Sequence, residues 1–167
     1  MAVGVLALVG TRKGLFLLWG MTTVGAGGWT ARCLTAGGFT TRRSIHVTLD
    51  GNGLPSGFGF PILIDPKDPD KAFVIPERGF EYHYGPNGRL AVYRTRDAGL
   101  TWEEMSDGLP RQAWAAVLRE ASASDADSLY FGTQSGSFFA LADGDTWVEA
   151  ARHLPPVLSV EVTQWSR

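Results

Sequence analysis

A single cysteine, Cys33, leaves no partner for an internal disulfide and no multi-cysteine metal site. Its simplest role is that of a small apolar residue in a strand. The three histidines, His46, His83 and His153, lie far apart and lack metal-ligand spacing. Neither sign of charge prevails: 15 Lys and Arg stand against 17 Asp and Glu, and the pI is near 5.9. That balance, with charges scattered along the chain, excludes the basic face of a nucleic-acid domain. No apolar run approaches the ~18–20 residues of a membrane span. A signal peptide would carry its positive charges before the apolar stretch. Here Met1–Val9 precedes Arg12 and Lys13, which read as an exposed turn. The expectation is a soluble, cytoplasmic protein that binds neither nucleic acid nor membrane.

Long stretches with a 3.6-residue apolar period are also missing, so little helix is expected. What the chain does have is glycine and proline, 21 and 9 in 167 residues, between short runs rich in Val, Phe, Tyr and Trp. That is the composition of strands and turns. With 44% hydrophobic and 19% charged residues, it can bury a core as one domain.

Two segments repeat. Gly88–Trp102 runs on to Leu109-Pro110, and Gly136–Trp147 runs on to Leu154-Pro155. Both the Thr-Trp pairs and the Leu-Pro pairs are 45 residues apart, and a third Leu-Pro stands at 54–55. A period of about 40–50 residues with four strands suits a propeller blade. One blade (60–105) is expected from Phe60–Ile64, Ala72–Ile75, Leu90–Arg94 and Thr101–Met105. A second (113–150) is expected from Ala113–Arg119, Ser128–Thr133, Ser137–Leu141 and Thr146–Ala150. A third joins both ends of the chain, with Gly4–Val9, Gly14–Trp19 and Trp29–Cys33 beside Val157–Val162. Val47–Asp50 resembles the end of a further blade whose beginning is absent. The expected fold class is therefore all-β, an internally shortened β-propeller of about three four-stranded antiparallel blades.

Thr95, Asp97, Gly99, Thr101 and Trp102 fit the Asp-box pattern S/T-x-D-x-G-x-T-W at every defined position. Asp97 is suited to accept backbone N–H bonds, Gly99 to take a positive φ, and Trp102 to pack between blades. A degenerate copy keeps Gly144, Thr146 and Trp147, with Ala142 in the Asp position and Asp143 one place later. These residues are structural in expectation.

On these motifs, and on Leu8–Leu18, Gly57–Ile62, Asp65–Pro69, Ala72–Pro76, Tyr130–Thr133 and His153–Val160, the chain resembles the bacterial BNR or Asp-box repeat family of sialidase-like glycosyl hydrolases. Members of that family are about twice this length. The same repeat occurs in sortilin-type receptors and photosystem II assembly factors, so it implies fold more than activity. Sialidases place their first substrate-gripping arginine in a Phe/Tyr-Arg-Ile-Pro motif. This chain lacks it, and Pro76 follows Ile75 with no arginine before it.

Any site is expected in the loop Pro76–Gly88, long for a strand connection and rich in acids, a cation and rings. Glu77, Glu81 and Glu120 are the candidate carboxylates for a glycosidase. Arg78, Tyr82, His83 and Arg119 are the candidate ligand contacts. Asp65, Asp68 and Asp70 alternate with Pro66 and Pro69 and read as a turn, so no metal and no cofactor are expected. The expectation is a binding or scaffold module for a carbohydrate or small molecule. Glycoside hydrolysis, or self-association that completes a ring, are the alternatives.

Overall fold

The computed structural model describes residues 3–11, 14–22, 30–34, 53–65, 67–125, 127–141 and 145–165. Arg12 and Lys13, most of the Leu34–Asp50 stretch, and Ala142, Asp143 and Gly144 of the degenerate repeat lie outside them. Among the described residues there is no α-helix, only a short 3-10 turn at Pro86–Gly88. None of their helical turns is long and apolar enough to cross a membrane.

Among the described residues, twelve strands form three antiparallel four-stranded sheets. The first sheet joins β1 (Val3–Thr11), β2 (Gly14–Thr22) and β3 (Thr30–Leu34) to β12 (Val157–Trp165), in the order β12-β1-β2-β3. Val9 pairs with Val160, so strands expected from opposite ends of the sequence meet in one sheet. Cys33 falls in β3 opposite Phe16 of β2. The second sheet orders β4 (Phe58–Asp65), β5 (Asp68–Glu77), β6 (Tyr93–Thr95) and β7 (Glu103–Glu104) in sequence. The third orders β8 (Ser122–Ser124), β9 (Leu129–Gly132), β10 (Phe138–Leu141) and β11 (Trp147–Ala151) in sequence. The first strand of each sheet adjoins that of another, β4 beside β8 and β8 beside β12.

One expected strand is displaced. Ala113–Arg119 forms no ladder, and the first strand of its sheet is β8, three residues further on. The apolar run Ala115–Val117 is buried all the same. Single backbone bonds pin it, from Ala113 N–H to Gly88 O (2.9 Å) and from Gln134 N–H to Ala116 O (2.9 Å). A buried connector and a buried strand carry the same apolar signature, and only the ladder distinguishes them.

A single apolar core spans all three sheets. Val9 and Val160 of the first, Phe73 and Ile75 of the second, and Phe131, Phe138 and Trp147 of the third belong to it. A smaller cluster sets Trp102 against Val74, Ala91 and Tyr93, with Leu54 packed on it. The Gly-Leu-Pro repeats have a common cause in this packing. Gly53 (φ +90°) and Gly108 (φ +85°) sit where a Cβ would collide with the backbone carbonyls of Trp102 and Trp147. Each Gly-Leu-Pro turn thus lies against the Thr-Trp of the following sheet, and only glycine tolerates both the approach and the dihedral.

Candidate functional site

Antiparallel alternation places the connections of the second and third sheets at two ends. The β4–β5 and β6–β7 turns share one end, where Ala98 N–H bonds Asp70 O (2.9 Å). The turn between β8 and β9 joins them through Lys67 Nζ and Asp127 Oδ1 (2.8 Å).

The Asp-box occupies that end. Thr95 Oγ1 accepts from the N–H of Asp97 (3.2 Å) and Gly99 (2.9 Å), and its hydroxyl donates to Asp97 Oδ1 (2.7 Å). Asp97 Oδ1 also accepts from Thr101 N–H (2.8 Å), and Oδ2 from the Thr101 hydroxyl (2.6 Å). These bonds, those of Thr101 first, hold the Asp97 carboxyl below its ordinary range. Gly99 takes φ +95° as expected, and Ala98 shares the left-handed region at φ +57°, which the motif does not announce. The Trp102 ring N–H donates to Gly99 O (3.2 Å), within its own turn.

The degenerate copy works differently. Thr146 is exposed and Trp147 buried, its ring N–H donating to Met105 O of the preceding sheet (2.8 Å). Asp145 pairs with buried Arg94, whose Nη2 lies 3.0 Å from Oδ2, while Arg94 Nε donates to Glu103 Oε1 (2.7 Å). The Arg94 hydrogen bonds hold both carboxyls below their ordinary range. Of the aspartates expected to form a turn, Asp65 ends β4 and Asp68 and Asp70 lie in β5, so only the β4–β5 connection between them turns, with Asp65 Oδ1 accepting from Lys67 N–H (2.9 Å) and Asp68 Oδ1 from Asp70 N–H (3.0 Å).

The loop Pro76–Gly88 leaves β5 at the other end. It folds back on itself: Arg78 N–H bonds Tyr84 O (2.8 Å), and Tyr82 N–H bonds Gly79 O (3.0 Å). Glu77, the last residue of β5, is only 1% exposed. Its Oε2 lies 3.1 Å from His83 Nδ1, while Oε1 is buried without a hydrogen-bond partner. Burial pushes the Glu77 carboxyl above its ordinary range, and His83 partly offsets this. The His83 ring stacks on Phe60 with centroids 5.6 Å apart. A carboxylate that orients an imidazole against a ring is a known way to fix a proton-transfer or hydrogen-bonding group.

Arg78 turns outward, its Nη1 donating to the Tyr84 hydroxyl (3.1 Å) and its guanidinium 4.5 Å from the Tyr82 ring centroid. Tyr84 meets Tyr82 on one side (5.9 Å) and Trp114 on the other (4.8 Å). Phe80 meets Phe58 at 6.4 Å. Sequence reasoning did not single out Trp114, Phe80 or Phe58, since an exposed ring and a buried one look alike in a string of letters.

The loop thus carries two separate sets of side-chain contacts, Glu77 with His83 and Phe60, and Arg78 with Tyr82 and Tyr84. Glu81 is exposed on the same loop. Arg119 and Glu120 form an exposed turn between the connector and β8, with Glu120 O accepting from Val160 N–H of β12 (2.8 Å). No hydrogen bond or ion pair among the described residues ties that turn to the loop. An open groove of about 1000 Å³ runs along β7, lined by Arg89, Arg94, Glu103, Glu104 and Asp145 among others. Its charges neutralise one another, Arg89 with Glu104 at 2.6 Å and Arg94 as above. No group of three or more potential metal ligands occurs among the described residues.

The chain matches no protein-family model and no curated protein.

Proposed function

We propose that the chain is an Asp-box repeat protein of the β-propeller type, similar to the sialidase-like family, that works as a binding module. Its binding face is the end bearing the Pro76–Gly88 loop, and its ligand is a carbohydrate or another small cyclic molecule. The propeller reading is supported by three four-stranded sheets whose first strands adjoin, and by a complete Asp-box on the second. The binding reading rests on one observation: Phe80, Trp114 and Tyr82 remain 79%, 69% and 45% exposed at this end. Such rings cost hydration free energy in the free protein, and their exposure marks a contact surface. Arg78 and the Glu77–His83 pair set hydrogen-bonding groups among them, the mixture found in small-molecule sites.

A thermal-shift screen against neutral and charged saccharides and cyclic metabolites tests the reading. Hits are expected whose stabilisation is lost in a Phe80→Ser/Tyr82→Ser double variant. A panel with no hits, or hits indifferent to that variant, would refute it. Turnover of fluorogenic glycosides that disappears in Glu77→Gln would replace it with the hydrolase alternative.

A further inference from the structure

Trp114 belongs to the connector between the second and third sheets, outside the loop, yet it stands against it. Gly88 closes the loop with φ +68°, and a Cβ there would come within 2.8 Å of the Trp114 ring carbons Cε2 and Cζ2. The indole therefore lies directly on the Gly88 backbone. The connector is tied to the loop next to the ring by Ala113 N–H to Gly88 O (2.9 Å), and Ala115 N–H closes a tight turn on Ala113 O around it (2.8 Å). Tyr84 meets the indole at 64°, so the two rings enclose a corner rather than a flat patch. Arg78 on the Tyr84 hydroxyl supplies hydrogen-bond donors at the rim.

We infer that Trp114 and Tyr84 form a preordered stacking site for the apolar face of a pyranose ring, with Arg78 bonding its hydroxyls. This rests on the binding function proposed above and specifies its ligand class. An indole seated on backbone loses little side-chain entropy on binding, which favours weak ligands such as sugars. Pyranosides whose ring substituents are all equatorial present a continuous face of axial C–H bonds to such a floor. A protein partner would need a larger continuous apolar surface, whereas Arg78, Glu81 and His83 interrupt this one. The indole comes from the connector leading into the third sheet and its wall from the preceding repeat, so the site depends on the joint between the two.

The test is isothermal titration with cellotetraose and laminaritetraose, with maltoheptaose and mannotetraose as probes of other ring faces and linkages. The all-equatorial, β-linked probes are expected to bind, and Trp114→Ala to weaken them at least tenfold while Trp114→Phe restores part of the loss. Gly88→Ala, which displaces the indole while keeping it, is expected to weaken them as well. The melting temperature of Trp114→Ala should stay that of the parent, which separates lost contact from lost fold. Binding undiminished in Trp114→Ala overturns the inference. So does a screen whose hits are all non-saccharides, although the binding function then survives. A chain that binds nothing in either experiment overturns both.

Discussion

The two ends of the sheets treat their polar groups in opposite ways. At the Asp-box end the turns are tight and the acids are satisfied: Asp97 accepts three side-chain or backbone bonds through its carboxyl. At the loop end a buried glutamate keeps one oxygen without a partner, and rings face water. Folding alone would select the first arrangement throughout, because an unsatisfied buried acceptor costs about 1–3 kcal/mol. The loop end retains features that stability does not reward, the pattern expected of the binding face proposed there.

The largest effect should come from removing the scaffold's own aromatic. Trp147→Ala deletes a buried ring and its bond to Met105 O, and about 3–5 kcal/mol of unfolding free energy should go with it in urea denaturation. Next, Thr95→Val strips the hub of the Asp-box turn, with an expected cost of about 1–3 kcal/mol. If Thr95→Val melted like the parent, the turn would not be the anchor its geometry describes.

Acidity should then separate the ends by sign. Asp97 titrates below its ordinary value in the folded state, so its contribution is present above the unfolded pKa and fades as the pH falls through the folded one. Glu77 titrates above its ordinary value of 4.5, so the folded state holds the extra proton. Its contribution is greatest below pH 4.5 and is lost as the pH rises through the folded pKa. Asp97→Asn should flatten the acid limb of a stability–pH curve, while Glu77→Gln should remove a decline above pH 4.5 and leave the protein as stable or more so at neutral pH. A Glu77→Gln variant that is clearly less stable at pH 7 would make Glu77 part of the scaffold. The smallest effect is expected from Trp114→Ala, within about 0.5 kcal/mol of the parent. Two tryptophans, Trp147 and Trp114, would then mark the extremes of the scale.

Much of the scaffold was legible because it is periodic. The Asp-box and its copy ending at Trp147 recur at 45 residues, the Gly-Leu-Pro turns recur before the second and third sheets, and the strands left over at either side of these repeats are those that pair as β12 and β1. The displaced strand was not legible, since Ala115–Val117 is apolar for burial in a connector and carries no mark of lacking a ladder. The loop was legible as a place but not as an arrangement. Its acids and rings drew attention to Glu77, Arg78, Tyr82 and His83, which pair as Glu77 with His83 and Arg78 with Tyr82. That Glu77 turns inward while Arg78 turns outward depends on the end of β5 and on Phe60, from a different strand. Trp114 escaped because its seat, Gly88, lies in another repeat. Arg119 and Glu120 show the converse, a charged pair that folds into an exposed turn with no tie to the loop.

The pairing of Val9 with Val160 also dictates an order of events. During synthesis the second sheet can close on local contacts soon after its strands emerge, whereas β1 must wait for β12, which follows the strands of both other sheets. Until then one edge of β1 offers unpaired N–H and C=O groups to any passing strand. Non-local pairing of this kind slows folding and lengthens the exposure of aggregation-prone edges. The joint that unites the ends of the chain is thus also the step most dependent on timing and on the company the nascent chain keeps.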